Sequence, residues 1–583
     1  MNAGRWLLGL LLAATPLQAQ QSSDTRAPEA PSVVAVAPKT ATGTRWMVTA
    51  AHPLASEAGA AMLRAGGNAI DALVAVQLVL GLVEPQSSGL GGGALLVYWD
   101  ASARRLTTFD GRETAPRAAT PTLFQNPQGE PLAFLDAVIG GLSVGTPGTP
   151  ALLEEVHRRH GRLAWGRLFA PALELAENGF PVSPRLAGLI ADDVATLSRD
   201  PAARAYFLDA AGAPLAAGTL LRNPAYVRTL RALQERGRGA FYDGELAQDI
   251  VRAVRGAAKP GLLAGEDLRA YQVKEREPVC GAYRGFDICG MGPPSSGALT
   301  LGQILGLLEP YDLKALGPNA PEAWRLIADA SRLAFADRER YMADADFVPM
   351  PTRGLLARDY LARRAKLLAG DDALPEVSAG TPAWDHAMAA PARADGAAPE
   401  LPSTTQITIV DAQGNVVSMT STIEAGFGAR LMVDGFLLNN ELTDFSFRSQ
   451  RDGVPVANRV EPGKRPRSSM APTIVFKDGR PVLALGSPGG SQIIGYVAKT
   501  LIAHLDWGMS LADAIAAPNV LARFDAVEIE AGSTATALEP GLRALGFQVK
   551  TAPMTSGVQA VAITPGGLIG AADPRREGVA IGE

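Results

Sequence analysis

The strongest constraint on the fold lies at residues 404–423. Thr404-Thr405-Gln406-Ile407-Thr408-Ile409-Val410 is dense in β-branched side chains, a turn follows at 411–415, and residues 416–423 repeat the pattern. Branching at Cβ costs rotamer freedom in a helix and packs well on a pleated surface, so the stretch reads as a β-hairpin. Two more strands, 473–476 and 482–485, flank a Lys477-Asp478-Gly479-Arg480 turn, and a helix spans 492–505. Upstream, Ser56 opens a helix that stops at Gly66-Gly67-Asn68, and 69–82 forms a second. Residues 95–99 and 106–110 read as paired strands. Residues 323–342 form a helix with Trp324, Ile327, Ser331 and Phe335 on one face. Strands interleaved with packed helices predict a layered α/β sandwich.

Composition narrows the class. With 47% hydrophobic and 19% charged residues, the 583-residue chain can bury a sizeable core. The formal net charge of −5 comes without a block of like charge, so the electrostatic footprint of a nucleic-acid binder is missing. Gly 62 and Pro 43 point to many turns and close backbone approaches. At the N-terminus Arg5, an apolar run from Trp6 to Ala14 and Leu17-Gln18-Ala19 read as a signal peptide over 1–19. The run is shorter than the roughly 20 residues a membrane span needs. Residues 20–44 read as a disordered Pro/Ala-rich lead-in, and 70–83, carrying Asp71 and Gln77, as a buried helix. A soluble periplasmic or secreted protein is expected, with no membrane span after signal removal.

The two cysteines suit an oxidising compartment. If Arg284-Gly285 is a two-residue hairpin turn, Cys280 and Cys289 face each other as a close, non-hydrogen-bonded pair. A disulfide and two buried thiols both fit. No metal framework emerges from five scattered histidines, and His157 and His160, on a charged helix with Glu154 and Glu155, read as a solvated face. No cofactor is expected. Gly89-Leu90-Gly91-Gly92-Gly93 lacks the strand–loop–helix order of a dinucleotide site. Gly141-Leu142-Ser143-Val144-Gly145 has the form of a nucleophile elbow but no placeable acid and histidine partners. His52, in Ala51-His52-Pro53, reads as a turn residue.

The Ser403-Thr404 junction combines several features. Residues 370–403, rich in Ala, Pro and acidic residues, read as a flexible segment, and a strand beginning with a hydroxyl residue follows at once. Cleavage before Thr404 would give one residue both a nucleophile and a base, since an α-amine has a pKa near 7.7–8.0. From hairpin and linker alone, a Thr-rich edge strand explains the same residues.

Ordered motifs carry a resemblance beyond this. Thr404 to Asp411, Leu438-Asn439-Asn440-Glu441-Leu442-Thr443-Asp444-Phe445-Ser446, Pro466-Arg467-Ser468-Ser469-Met470-Ala471-Pro472 and Gly486-Ser487-Pro488-Gly489-Gly490-Ser491 resemble the γ-glutamyltranspeptidase family of N-terminal nucleophile hydrolases. So do Asp110-Gly111-Arg112-Glu113-Thr114-Ala115-Pro116, Gly292-Pro293-Pro294-Ser295-Ser296-Gly297 and Asp573-Pro574-Arg575-Arg576. The resemblance implies an α+β fold, a four-layer α/β/β/α sandwich built from two subunits of one autoprocessed precursor. It implies cleavage between Ser403 and Thr404 into a large subunit (45–403) and a small one (404–583) that stay associated. Thr404 would then attack a γ-glutamyl donor such as glutathione and pass the acyl group to water, an amino acid or a peptide. Thr422 would steady the nucleophile and the Gly489 and Gly490 N–H groups would form an oxyanion hole. Arg112, Ser468 and Ser469 would hold the carboxylate, and Glu441 and Asp444 the ammonium. Two departures stand out: Glu424 replaces a frequent Asn, and no Tyr occurs between Ser446 and Lys464. A β-lactam side-chain (cephalosporin/glutaryl) acylase of the same fold, and a non-catalytic amino-acid or glutathione binder, are the competing expectations.

Overall fold

The computed structural model describes residues 39–384, 391–396 and 403–583. The signal peptide at 1–19 and most of the 20–44 lead-in lie outside the described residues. Two seven-stranded, wholly antiparallel sheets stack face to face. The first runs Val579–Gly582, Met47–Ala50, Thr405–Val410, Val416–Thr422, Gly93–Asp100, Arg105–Gly111, Lys274–Arg276. The second runs Lys39–Gly43, Gly567–Ala572, Gln559–Thr564, Arg480–Gly486, Thr473–Lys477, Phe286–Gly290, Val279–Tyr283. Alternation along Gly93–Asp100 builds two cores. Ala94, Leu96 and Tyr98 pack toward Pro53–Arg64 and Ala69–Val83, whereas Leu95, Val97 and Trp99 pack toward the second sheet. Gly297–Leu308, Pro321–Tyr341 and Ile493–Leu505 form the helical layer beyond that sheet. The result is the four-layer α/β/β/α sandwich of an α+β protein.

Local chemistry explains the element ends. Asn68 and Asp71 form a reciprocal capping box at the start of Ala69–Val83, every residue of which is buried. His52 caps Pro53–Arg64 with its Nδ1, which accepts from Leu54 N at 3.2 Å. Accepting there requires an unprotonated Nδ1, and burial lowers the His52 pKa to about 4, with Arg185 also opposing the charge and Glu577 favouring it. Gly91 and Gly92 serve close backbone approach: a Cβ would lie 2.0 Å from Leu437 O at one and from Thr422 O at the other.

Several expectations need correction. Lys39–Gly43, assigned to the lead-in, is an edge strand paired with Gly567–Ala572, its small Thr and Ala side chains giving no apolar signal. The described parts of 370–403 are tied down rather than loose. Ala373 N donates to Leu545 O, Gly380 N to Asp337 Oδ1, and Ala394 N to Pro455 O, while Arg340 pairs with Asp395. His157 is not a solvated residue: its Nε2 lies 2.9 Å from Leu163 O and 3.4 Å from buried Asp71. The His160 ring sits 4.7 Å from that of Tyr98. Across the Tyr283–Phe286 hairpin, Cys280 and Cys289 are directly paired and joined as a disulfide, Cα atoms 4.1 Å apart. No helix among the described residues is long and apolar enough to cross a membrane.

Two predictions follow from this packing. Gly92→Ala drives a methyl group into the Thr422 carbonyl and lowers unfolding stability by about 3 kcal/mol or more, read from denaturant melts. His52 binds its proton more weakly folded than unfolded, so its stabilising contribution is whole above pH 6.5 and drains away as pH falls toward about 4. The stability difference between wild type and His52→Asn, which keeps a cap, should therefore shrink across that window.

Candidate active site

The site grows from the register of one hairpin. Thr405 pairs with Ser421, which sets Thr404 opposite Thr422 at the hairpin's open end. The Thr404 hydroxyl donates to Thr422 Oγ1 at 3.1 Å, and the same oxygen accepts from Glu424 N at 2.8 Å. Thr404 is 4% exposed and its carbonyl accepts from Arg576 Nη1 at 3.0 Å. The next side chain points the other way, where Thr405 Oγ1 donates to Glu84 Oε2 at 3.1 Å. Ser403 is buried, its Oγ donating to Gln86 O at 2.9 Å. With Ser403 attached, Thr404 has φ 120°, a region that a β-branched residue occupies only under strain.

One cleft gathers most of the expected residues: Arg112, Thr404, Thr422, Glu424, Glu441, Asp444, Ser468, Ser469 and Gly490 line it, with Met470 and Ile493. The space between them is narrow, about 20 Å³. Gly489 is not part of this wall. It turns the chain behind Gly490 at φ 135°, where a Cβ would lie 2.6 Å from the Tyr496 ring. The Gly490–Gln492 turn then leads into Ile493–Leu505.

Arg112 is the electrostatic centre. Its Nη1 donates to Glu441 Oε1 and its Nη2 to Asp444 Oδ2, while Nε reaches Pro466 O at 3.2 Å and Nη2 also reaches Arg467 O at 2.8 Å. Four of its five N–H bonds are thus committed within the protein, leaving one on Nη1. Burial opposes the charge, but Glu441 and Asp444 more than offset it and hold the guanidinium above its ordinary pKa. Glu113 lies fully buried beside this cluster. Burial pushes its carboxyl well above the usual carboxylate range, Glu441 adds to the rise and Arg112 opposes it.

The serine segment is clamped. Ser468 Oγ accepts from Met470 N at 3.1 Å, and Ser469 Oγ accepts from Arg338 Nη2 at 2.6 Å. Asn440 bridges Glu424 and Thr443, and its Oδ1 accepts from Ala425 N at 3.0 Å. The Tyr-free stretch between Ser446 and Lys464 forms a short hairpin, Gln450–Arg451 with Val454–Pro455, anchored where Asn458 Nδ2 donates to Asp444 O at 2.7 Å. Ser143 stands apart: it is buried in a single turn, its Oγ donating to Val138 O at 2.7 Å. Among the described residues no group of His, Cys, Asp and Glu is arranged to hold a metal ion.

Arg338, Asn440 and Arg576 escaped the sequence reading as site neighbours. Arg338 had a signal, because it continues the Trp324, Ile327, Ser331, Phe335 face by three residues, an arginine on a buried stripe. Arg576 lay in the Asp573-Pro574-Arg575-Arg576 motif, but nothing in the spacing ties it to Thr404, 172 positions away.

Comparison with known proteins gives the family. The family model described as gamma-glutamyltranspeptidase matches residues 55–583. A glutathione hydrolase proenzyme of Bacillus subtilis is 39% identical over 93% of this chain and 92% of its own length. An acylase ACY 1 proenzyme of Pseudomonas sp. strain V22 is 36% identical over 93% and 94%. The crystal structure of a cephalosporin acylase from Bacillus halodurans superposes with a TM-score of 0.82 at 25% identity, covering 94% of this chain and 98% of that one. The chain belongs to the γ-glutamyltranspeptidase family of N-terminal nucleophile hydrolases.

Proposed function

We propose that the protein is an exported γ-glutamyl transferase/hydrolase that cleaves itself before Thr404 and moves the γ-glutamyl group of glutathione-like donors through a threonyl ester. The observation that carries this reading is the Thr404–Thr422 hydroxyl pair opening onto a cleft that holds both a cation and carboxylates. In the first step Thr404 Oγ1 attacks the Ser403 carbonyl carbon. The acyl group passes from nitrogen to oxygen, and water then hydrolyses the ester, leaving a carboxylate on Ser403 and a free amine on Thr404. The φ of 120° supports this cut, because strain of about 1–3 kcal/mol is relieved once the Ser403 carbonyl is gone. The products would be the large subunit (45–403) and the small subunit (404–583).

In the processed enzyme the Thr404 amine takes the proton of its own hydroxyl, the oxygen attacks the donor's γ-carbonyl, and the protonated amine returns the proton to the leaving amine. Water or an amino-acid or peptide amine then attacks the ester. The Gly490 N–H, on the cleft wall, is assigned to the oxyanion, with the Gly489 N–H expected to join it from the turn behind, and one such donor is worth roughly 2.7–4 kcal/mol of transition-state stabilisation. Thr422 orients the nucleophile. The head group carries one ammonium and one carboxylate. Glu424, Glu441 and Asp444 suit the first, and Ser468, Ser469 and the remaining Arg112 N–H the second.

The acylase relatives give a second reading, removal of a glutaryl side chain from a β-lactam. A glutaryl head has the carboxylate without the ammonium. Three carboxylates around one guanidinium disfavour it, so the γ-glutamyl reading is preferred.

Wild-type protein should run as two bands on a denaturing gel, with Thr404 the first residue of the smaller. Thr404→Ala should run as one chain inactive on γ-glutamyl anilide; cleavage with retained turnover in that variant would sink the proposal. Steady-state kinetics should also favour γ-glutamyl over glutaryl anilide by at least about tenfold in kcat/KM, the worth of one charged contact. Arg112→Lys, which cannot hold two acids with a planar fork, should raise the donor KM by about tenfold or more.

A further inference from the structure

Both pocket serines already accept one hydrogen bond from the protein side, which leaves the hydroxyl proton as the group still to be placed. Ser468 Oγ accepts a backbone N–H, and Ser469 Oγ accepts from Arg338, which is 1% exposed. A guanidinium only donates, so the Ser469 hydroxyl proton must seek a different acceptor. Among the described residues the protein provides none, and the side chain faces the cleft. The arginine is itself held in place. Its Nε donates to Ser296 Oγ at 2.9 Å, Ser296 Oγ donates to Ser468 O at 2.8 Å, and Nη1 meets Glu339 Oε1 at 2.6 Å. Arg467 closes the clamp, with Nη2 on both Glu339 oxygens at 3.0 Å and Nη1 on Arg338 O at 3.2 Å. The last turns of Pro321–Tyr341 therefore set the position and the hydrogen-bond polarity of the serine segment.

We infer that Arg338 is a positioning residue for donor selection, anchoring Ser469 Oγ so that its hydroxyl proton is donated to the carboxylate of the γ-glutamyl head group. The inference rests on the proposed γ-glutamyl reading of this cleft and deepens it. Its force comes from the count at Arg112. With four of five N–H bonds spent on Glu441, Asp444 and two carbonyls, that residue offers the substrate carboxylate one donor. The hydroxyls must supply the rest. A cation directly behind Ser469 polarises its O–H bond, so the chain from guanidinium through hydroxyl to carboxylate strengthens along its length. Because the carboxylate is distant from the reacting carbonyl, this contact acts on donor capture more than on bond breaking.

The test is a double-mutant cycle read with two donors on processed enzyme. γ-Glutamyl anilide carries the carboxylate, and 4-aminobutyryl anilide is the same acyl group without it. Arg338→Gln should raise KM for the γ-glutamyl donor about tenfold with kcat within about twofold, a loss of the size of one charge-assisted bond. KM for the 4-aminobutyryl donor should move less than about twofold. Arg338→Lys should recover part of the loss, and Arg338→Gln added to Ser469→Ala should cost nothing further. If Arg338→Gln yields no folded protein, Arg338→Lys carries the same cycle, with a smaller KM rise that must vanish beside Ser469→Ala. Equal losses in both backgrounds, equal losses on both donors, or a fall in kcat at constant KM would show a purely structural clamp and overturn the inference. A wild-type enzyme that turns over the 4-aminobutyryl donor as well as the γ-glutamyl one would instead remove the reading of the cleft on which it rests.

Discussion

The site depends on antiparallel register. Thr405–Val410 and Val416–Thr422 pair so that Thr404 and Thr422 become cross-strand neighbours, and a slip of one residue would turn both hydroxyls to the helix side. Polar bonds within the hairpin and between the sheets lock that register. Thr408 Oγ1 donates to Gln559 O, Ser418 Oγ to Leu485 O, and the Gln406 amide to Ser418 Oγ, all at 2.9–3.0 Å. Apolar packing takes over farther along the strands, where Val410 and Val416 meet the second sheet's core. The hairpin thus has a polar, directional end that holds the nucleophile and an apolar end that supplies cohesion. Hydrogen bonds suit the first task because they fix angle as well as distance.

The residues lining the cleft at that end include three carboxylates and one guanidinium, and burial makes the imbalance consequential. Arg112 is shared between Glu441 and Asp444, while Glu424 is held by Asn440. In the proposed reading an incoming ammonium would complete the charge balance, so specificity would arise from what the pocket lacks as well as from what it offers. The carboxylate side works differently. There each serine oxygen is anchored by one donor from the protein, Met470 N for Ser468 and, for Ser469, Arg338 from a helix on the far side of the second sheet.

Much of this was legible in the chain. Cys280 and Cys289 could be paired from the position of a two-residue turn, because hairpin partners share a constant sum of residue numbers, whereas Thr422 was reached through the family resemblance. The four-layer fold was legible through the motifs of the family, and the second helix in its bounds, but the first helix begins at Pro53 under a His52 cap rather than at Ser56. Three things were hidden. Lys39–Gly43 is too short and too polar to read as a strand, and it gains its place only from Gly567–Ala572, more than five hundred residues away. The binding preference of Arg112 cannot be read from spacing, since its acids lie over three hundred positions downstream. The 370–403 composition signals loose chain, yet long-range bonds to Asp337 and Pro455 hold its described parts.

The interleaving of strands from before and after Thr404 has a further consequence. Thr405–Val410 lies between Met47–Ala50 and its own hairpin mate, Val416–Thr422 borders Gly93–Asp100, Thr473–Lys477 borders Phe286–Gly290, and Gly567–Ala572 borders Lys39–Gly43. A nick at the junction would sever one covalent bond and leave every one of these seams intact. The halves could neither drift apart nor trade places with those of another molecule without both sheets coming undone. Each active molecule would therefore remain a lifelong pairing of pieces born on the same ribosome.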